Sequence, residues 1–230
     1  MPHLLSIFDM ISIQMVNKLF LLLLLFPFAE GTAQPLTAEQ VLGKALKYHD
    51  PKEEWRTFNH QLNFVSERPN GADRLSTVTI NNNTGLFELM EDGNNMAILM
   101  DSCITIPTGK TCEQVKRIRN YYVYLWGLPM KLKDEGTALD PIVKEEKFEG
   151  VACYVLRVPY DQDVWFFFID KSNFAMKAYM FLKDEPLREG ELIYLDDEVR
   201  IGEMRIPKKR KWVTMPDQEV LGTDILTSSK

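Results

Sequence analysis

Thr111-Cys-Glu-Gln-Val-Lys-Arg-Ile-Arg-Asn-Tyr-Tyr-Val-Tyr-Leu-Trp-Gly-Leu-Pro-Met-Lys-Leu-Lys-Asp134 is the stretch that decides the fold. It reads as a helix followed by an apolar loop. Thr111 can cap the helix, and Gln114 stands three residues on, where the reciprocal bond of a capping box needs it. Val115, Ile118, Tyr122 and Leu125 fall at helical spacing and form one apolar stripe. Tyr121, Tyr124 and Trp126 widen that stripe almost all the way round. Gly127 suits the left-handed position past a helix end, and Pro129 prevents continuation. A helix apolar on several sides belongs inside something. Nearly everything after it has the period of strands. The expected class is α+β: a strongly curved antiparallel sheet, an incomplete barrel, wrapped over this central aromatic helix. The stripe alone leaves two outcomes open. The helix either supplies core only, or leaves a pocket against the sheet, a common place for ligands.

The chain opens on a targeting pattern. Lys18 supplies a positive charge, Leu19 to Phe28 is an apolar run, and Gly31-Thr32-Ala33 offers the small residues a signal peptidase reads. The run falls short of the roughly 20 apolar residues that cross a bilayer as a helix. Cleavage after Ala33 is expected, giving an exported chain from Gln34, periplasmic or extracellular, with residues 34–230 as a single domain. Met15-Val-Asn-Lys18 reads as a more ordinary start for such a leader than Met1.

The 230 residues carry a net charge of −6; losing Lys18, Asp9 and Glu30 with the leader leaves −5. A nucleic-acid partner would want a basic face, so that class is set aside. The three cysteines all follow the leader. Cys103 and Cys112 flank a Pro-Thr-Gly turn and can bridge in an oxidising compartment. Cys153 lies in a strand and reads as a buried apolar thiol. No spacing resembles a zinc site, and no cofactor is expected.

Along the chain, Thr37-Ala-Glu-Gln40 is a second capping box, opening a helix with Val41, Leu42, Ala45 and Leu46 on one face. From Phe58 strands follow at about ten-residue spacing, separated by turn clusters such as Arg68-Pro-Asn-Gly71 and Asn81-Asn-Asn-Thr-Gly85. After the central helix, Ile142–Phe148 pairs with Val151–Val158. Val164–Ile169 is apolar on both faces, hence a covered central strand. Phe174–Leu182, Glu191–Leu195, Val199–Met204 and Val220–Leu226 complete the series.

Few residues suggest chemistry. Tyr48-His49-Asp50 places a carboxylate beside a histidine, which tunes proton transfer. No nucleophile-elbow pattern accompanies it, so a histidine bonded to backbone at the helix end is the plainer reading. Asp196-Asp197-Glu198 lacks the spaced ligands of a calcium loop and reads as a solvated strand end. Lys208-Lys-Arg-Lys211 reads as charge protecting an edge strand, with peripheral contact to anionic lipid as its alternative. Met90, Met96, Met100, Met130, Met176 and Met180 supply adaptable apolar surface, of the kind found in cores and in permissive binding sites.

Two patterns carry a resemblance. Ala45-Leu-Lys-Tyr-His-Asp-Pro51 with Trp55, Arg119 to Asp134, and Leu221-Gly-Thr-Asp-Ile-Leu-Thr227 resemble an uncharacterised family of secreted bacterial proteins of unknown function. The succession from Asp163 to Val213 is similar to the C-terminal half of the periplasmic lipoprotein-carrier and outer-membrane lipoprotein-sorting superfamily. In it an aromatic strand ends in Asp170, Gly202 turns the chain, and Ile206-Pro207 leads to a basic strand. That resemblance implies a bent antiparallel sheet with helices plugging its concave face and acyl chains held between. It transfers no individual binding residue.

The leading expectation is a non-enzymatic cell-envelope protein, a monomer, that holds a lipid, an acyl chain, a lipidated protein or another apolar ligand between sheet and helix. The residues expected to line that pocket are Tyr122, Leu125, Trp126 and Met130 from the helix and loop, with Trp126 and Met130 at its rim. From the sheet they are Leu62, Phe64, Met96, Ile98, Trp165, Phe167 and Met180, chosen by alternation. An envelope interaction protein with a solid core, and a hydrolase using His49, are the alternatives. The cysteine pattern gives a direct check. Exported protein unfolded without reductant should show one reactive thiol, from Cys153; three would refute the Cys103–Cys112 bridge.

Overall fold

A computed structural model describes residues 34–230; the leader expected over residues 1–33 lies outside the described residues. Helix α1 (Ala38–His49) starts at Thr37, whose side chain accepts from Gln40 N–H while the Gln40 side chain accepts from Thr37 N–H. A meander follows: β1 (Asn59–Glu67), β2 (Arg74–Asn81), β3 (Leu86–Glu91), β4 (Asn94–Leu99) and β5 (Ser102–Thr105). Helix α2 (Cys112–Trp126) carries the same capping box at Thr111 and Gln114. The second half is β6 (Lys144–Phe148), β7 (Val151–Pro159), β8 (Val164–Asp170), β9 (Met176–Asp184), β10 (Glu189–Ile201), β11 (Met204–Met215) and β12 (Val220–Ser229).

All twelve strands form one antiparallel sheet in the order β5-β4-β3-β2-β1-β12-β11-β10-β9-β8-β7-β6. It is open, with β5 and β6 as edges. Local hairpins build each half, and the pairing of β1 with β12, Leu62 opposite Ser229 through Glu67 opposite Thr223, joins them. Both helices pack on one face. There α2 separates two apolar clusters. Tyr122 and Trp126 pack with Leu62, Phe64, Met96, Ile98 and Met130 toward β1–β4. Leu125 packs with Leu156, Phe167, Tyr179 and Ile193 toward β7–β10.

Trp126 is 2% exposed. Its ring meets Phe64 with centroids 4.4 Å apart, and the Arg210 guanidinium lies 3.4 Å from its centroid. Arg210 on β11 is fully buried and donates to the carbonyls of Pro207 at 3.1 Å and Leu125 at 3.3 Å. The Leu125 carbonyl belongs to the last turn of α2, where a cation is favoured by the helix dipole. Burial pushes the Arg210 pKa down, and Tyr179 and Asp224 oppose that push.

Several sequence expectations need correction. The run Lys208–Lys211 is not on an edge: β11 is interior, and Arg210 points under α2 because alternation sends every second side chain inward. Asp196-Asp197-Glu198 is not a strand end but lies within the continuous β10, where Lys209 Nζ meets Asp197 Oδ2 at 2.9 Å across the hairpin. Gly127 has φ −87°, so it is not left-handed. Its requirement is space, since a Cβ there would run into the Trp55 indole. Met180 is on the wrong face. It sits opposite Phe166, while Trp165 pairs with Phe181 and Phe167 with Tyr179. It belongs to an outer cluster with Phe166, Phe168 and Leu192, a one-residue register error that flips the face.

These contacts make Trp126 a core residue, not a rim residue. Trp126→Ala is expected to cost about 3–5 kcal/mol, the range for large aromatic truncations. Urea midpoints of parent and variant check it, and an unchanged midpoint would contradict the packing.

Candidate functional site

The helix-facing side chains expected to line a central pocket fill it instead. Leu62, Phe64, Ile98, Leu125, Trp126, Met130 and Phe167 are buried in the two clusters, and Trp165 is partly buried at the margin of the second. Alternation identifies an inward side chain; it cannot distinguish one that touches its neighbours from one that faces a void. Of the expected set, Tyr122 and Met96 also line an open cavity.

That cavity is a cleft of about 610 Å³ beside the middle of α2. Met96, Pro107, Ile118 and Tyr122 supply apolar walls, and Arg74, Glu91, Lys110 and Arg117 supply charged ones. Its size falls in the range of small-molecule sites. Three elements fix it. Strands β2–β4 form the floor, one face of α2 forms the roof, and the turn Pro107–Lys110 closes one side, with Lys110 N–H donating to Pro107 C=O at 3.1 Å. Gly109 has φ +83°, the left-handed conformation that favours glycine in such a turn. Cys103 and Cys112 are disulfide-bonded, with Cα atoms 5.9 Å apart, which ties β5 to the first turn of α2 around this wall. Cys153 is a free, buried thiol, and burial raises its pKa, so it is held away from the nucleophilic thiolate form.

A smaller cleft of about 240 Å³ adjoins it and shares Arg74 and Tyr121. Tyr121 stacks on Trp212, centroids 5.7 Å apart and planes at 19°, so its ring stands between the two spaces. Below it, Asp224 accepts from Ser66 Oγ at 2.6 Å and Trp212 Nε1 at 3.0 Å. The aromatic stripe of the sequence contained Ile118, Tyr121 and Tyr122. Arg74, Glu91, Lys110 and Arg117 carried no such signal, because charges at strand ends, in turns and on the polar face of a helix usually face solvent.

The residues that suggested chemistry are committed elsewhere. His49 is 2% exposed. Its Nε2 accepts Met176 N–H at 2.9 Å, which leaves the proton on Nδ1 to donate to Arg205 C=O at 2.7 Å. Asp50 does not orient that ring; it accepts from Glu54 N–H at 2.8 Å and Trp55 N–H at 2.9 Å. Glu198 accepts from the Tyr48 hydroxyl at 2.8 Å. Among the described residues no group of three or more His, Cys, Asp or Glu is placed to hold a metal ion.

A family model for a family of unknown function, DUF6503, matches residues 17–228. The chain belongs to that family. No curated protein matches it by sequence. Among solved structures, this DUF6503 chain is similar to a LolA superfamily protein from Nitrosomonas europaea, at 11% identity and TM-score 0.54, covering 85% of this chain and 94% of that one. It is also similar to a putative outer membrane lipoprotein-sorting protein domain from Vibrio parahaemolyticus, at 12% identity and TM-score 0.52, covering 84% and 92%. At such identities the likeness establishes the fold: an open, lipoprotein-carrier-like sheet over two helices.

The His49 geometry generates a pH prediction. Burial lowers the pKa of the folded imidazole below its ordinary 6.5, with the Arg205 carbonyl only partly opposing. As pH falls through 6.5 the unfolded chain takes up a proton that the folded chain refuses, so stability present above pH 6.5 is lost toward acid. His49→Gln should lower stability at pH 7.5 by roughly 1–3 kcal/mol, the cost of disturbing buried hydrogen bonds. It should also flatten the decline between pH 6.5 and 5. Thermal unfolding of both proteins across that range tests this; parallel curves would remove His49 as the sensor.

Proposed function

We propose that this DUF6503 protein is an exported, non-enzymatic binding protein. As exported it starts at Gln34 as one domain, and it takes an apolar chain, from a lipid or from a lipidated protein, into the cleft between α2 and β2–β4. The observation that carries this reading is the cleft itself. It is an open space of about 610 Å³ with Met96, Ile118 and Tyr122 in its walls, beside the buried cluster around Trp126. Apolar burial would drive occupancy at about 0.8 kcal/mol for each CH₂ taken from water. The likeness to a LolA superfamily protein and to a putative lipoprotein-sorting domain supports the class of ligand at the level of fold. The engagement of His49 by Met176 and Arg205 supports a role without acid–base chemistry.

A second reading has its own support. Trp126 is packed against Phe64 and Arg210, as the core of an envelope interaction protein would be, and Met90, Met100 and Ile104 expose apolar surface around the β5 side of the sheet. One experiment separates the two. A fluorescent fatty acid is titrated into the parent protein and into Ile118→Trp, which narrows the cleft from its half-buried wall. Saturable binding in the parent, weakened about tenfold or more in the variant (about 1.4 kcal/mol) with a nearly unchanged urea midpoint, supports the cleft. Absence of saturable binding in the parent leaves the interaction reading.

A further inference from the structure

We infer that the ligand of this cleft carries an anionic headgroup, seated at Arg74 where the two clefts meet. The inference rests on the binding reading above and adds the polarity of the ligand to it. Arg74 lies at the start of β2 and lines both the larger and the smaller cleft. Its side chain is 34% exposed, and its one ion-pair partner is Glu91 Oε1, 3.0 Å from Nε. That contact is poorly aligned: the buried Nε–H has no hydrogen-bond acceptor. A guanidinium offers five donors in a planar fork that matches a carboxylate or phosphate. Here one of those donors is spent on a misaligned carboxylate. The terminal nitrogens make no hydrogen bond to the protein among the described residues.

The surrounding charge points the same way. Lys110 and Arg117 also line the larger cleft, and among the described residues neither has a carboxylate within 4 Å. The acids that line it are Glu91, already placed on Arg74, and Asp92 in the β3–β4 turn. A single-chain amphiphile satisfies both parts of the lining. Its chain lies against Met96, Ile118 and Tyr122, and its anionic head displaces Glu91 as the partner of Arg74. A carboxylate or a phosphate head serves equally; the shared chemistry is a compact oxyanion joined to an apolar chain.

The displacement gives the test two signs. Binding is measured below micelle-forming concentration for three probes of equal chain length: dodecyl phosphate, neutral dodecyl maltoside and dodecyltrimethylammonium. Inorganic phosphate is titrated as the chainless control. Dodecyl phosphate should bind about tenfold tighter than the neutral probe at low salt, and the margin should shrink in high salt as surface charges are screened. Arg74→Gln should erase that margin, whereas Glu91→Gln should widen it several-fold by releasing the guanidinium. The neutral probe should move far less than dodecyl phosphate in either variant. A merely structural role for the pair would shift all three probes together, in the same direction for both variants.

Equal affinity for the three heads overturns the headgroup inference and leaves the apolar cleft standing. Inorganic phosphate bound as tightly as dodecyl phosphate overturns the amphiphile in favour of a free-anion site. Failure of all three chains to bind removes the binding reading and this inference with it.

Discussion

The stacking of Arg210 beneath Trp126 holds the two halves of the molecule to one helix. The guanidinium comes from an interior strand, and its face lies on the indole 3.4 Å away. Two of its nitrogens reach backbone carbonyls, one of them in the last turn of α2. A buried cation is costly unless it is satisfied on several sides. This one has aromatic, helix-terminal and main-chain partners together. The C-terminal end of α2 is thereby fixed on the sheet, with one apolar cluster on either side of it. The N-terminal end is fixed separately, by the Cys103–Cys112 bridge to β5. Between those two anchors lies the segment around Ile118 to Tyr122, and that is where the cleft opens. Its position follows from where the helix is held and where it is not.

Much of this was legible in the chain. Both capping boxes appear at the residues expected, because the side-chain and backbone partners are three residues apart and need no tertiary context. The helix stripe and the strand alternation identified both helices, most of the strands and that the sheet would face α2; the short β5 carried no such pattern, and Glu191–Leu195 and the residues from Val199 belong to one strand, β10. An antiparallel meander gives its hairpins through local turns, so the neighbours within each half could be read in order. The join of β1 to β12 could not, since no local signal links residues so far apart.

The site was less legible, for a physical reason. Whether an inward apolar side chain is packed or lines a space depends on what stands opposite, and a stripe contains no such information. Phe64 and Trp126 touch each other; Ile118 and Met96 flank an opening. Val164–Ile169 is apolar at every position, so alternation could not choose between Trp165 with Phe167 and Phe166 with Phe168. The partner strand inherits the ambiguity, so alternation alone does not fix the face of Met180, which the pairing with Phe166 places outside. Arg210 was hidden in the opposite way, inside a run of lysines that reads as solvated.

The β1–β12 seam also constrains the order of events as the chain is made. The strand nearest the start of the sheet finds its second neighbour about 160 residues later, and Lys230 exchanges both backbone hydrogen bonds with Gln61. Until β12 arrives, β1 and β11 each present an open edge, and the two half-sheets share no backbone ladder. Contacts this distant in sequence slow folding relative to local ones. A growing chain therefore holds two separate half-sheets until β12 has left the ribosome and bridges β1 to β11.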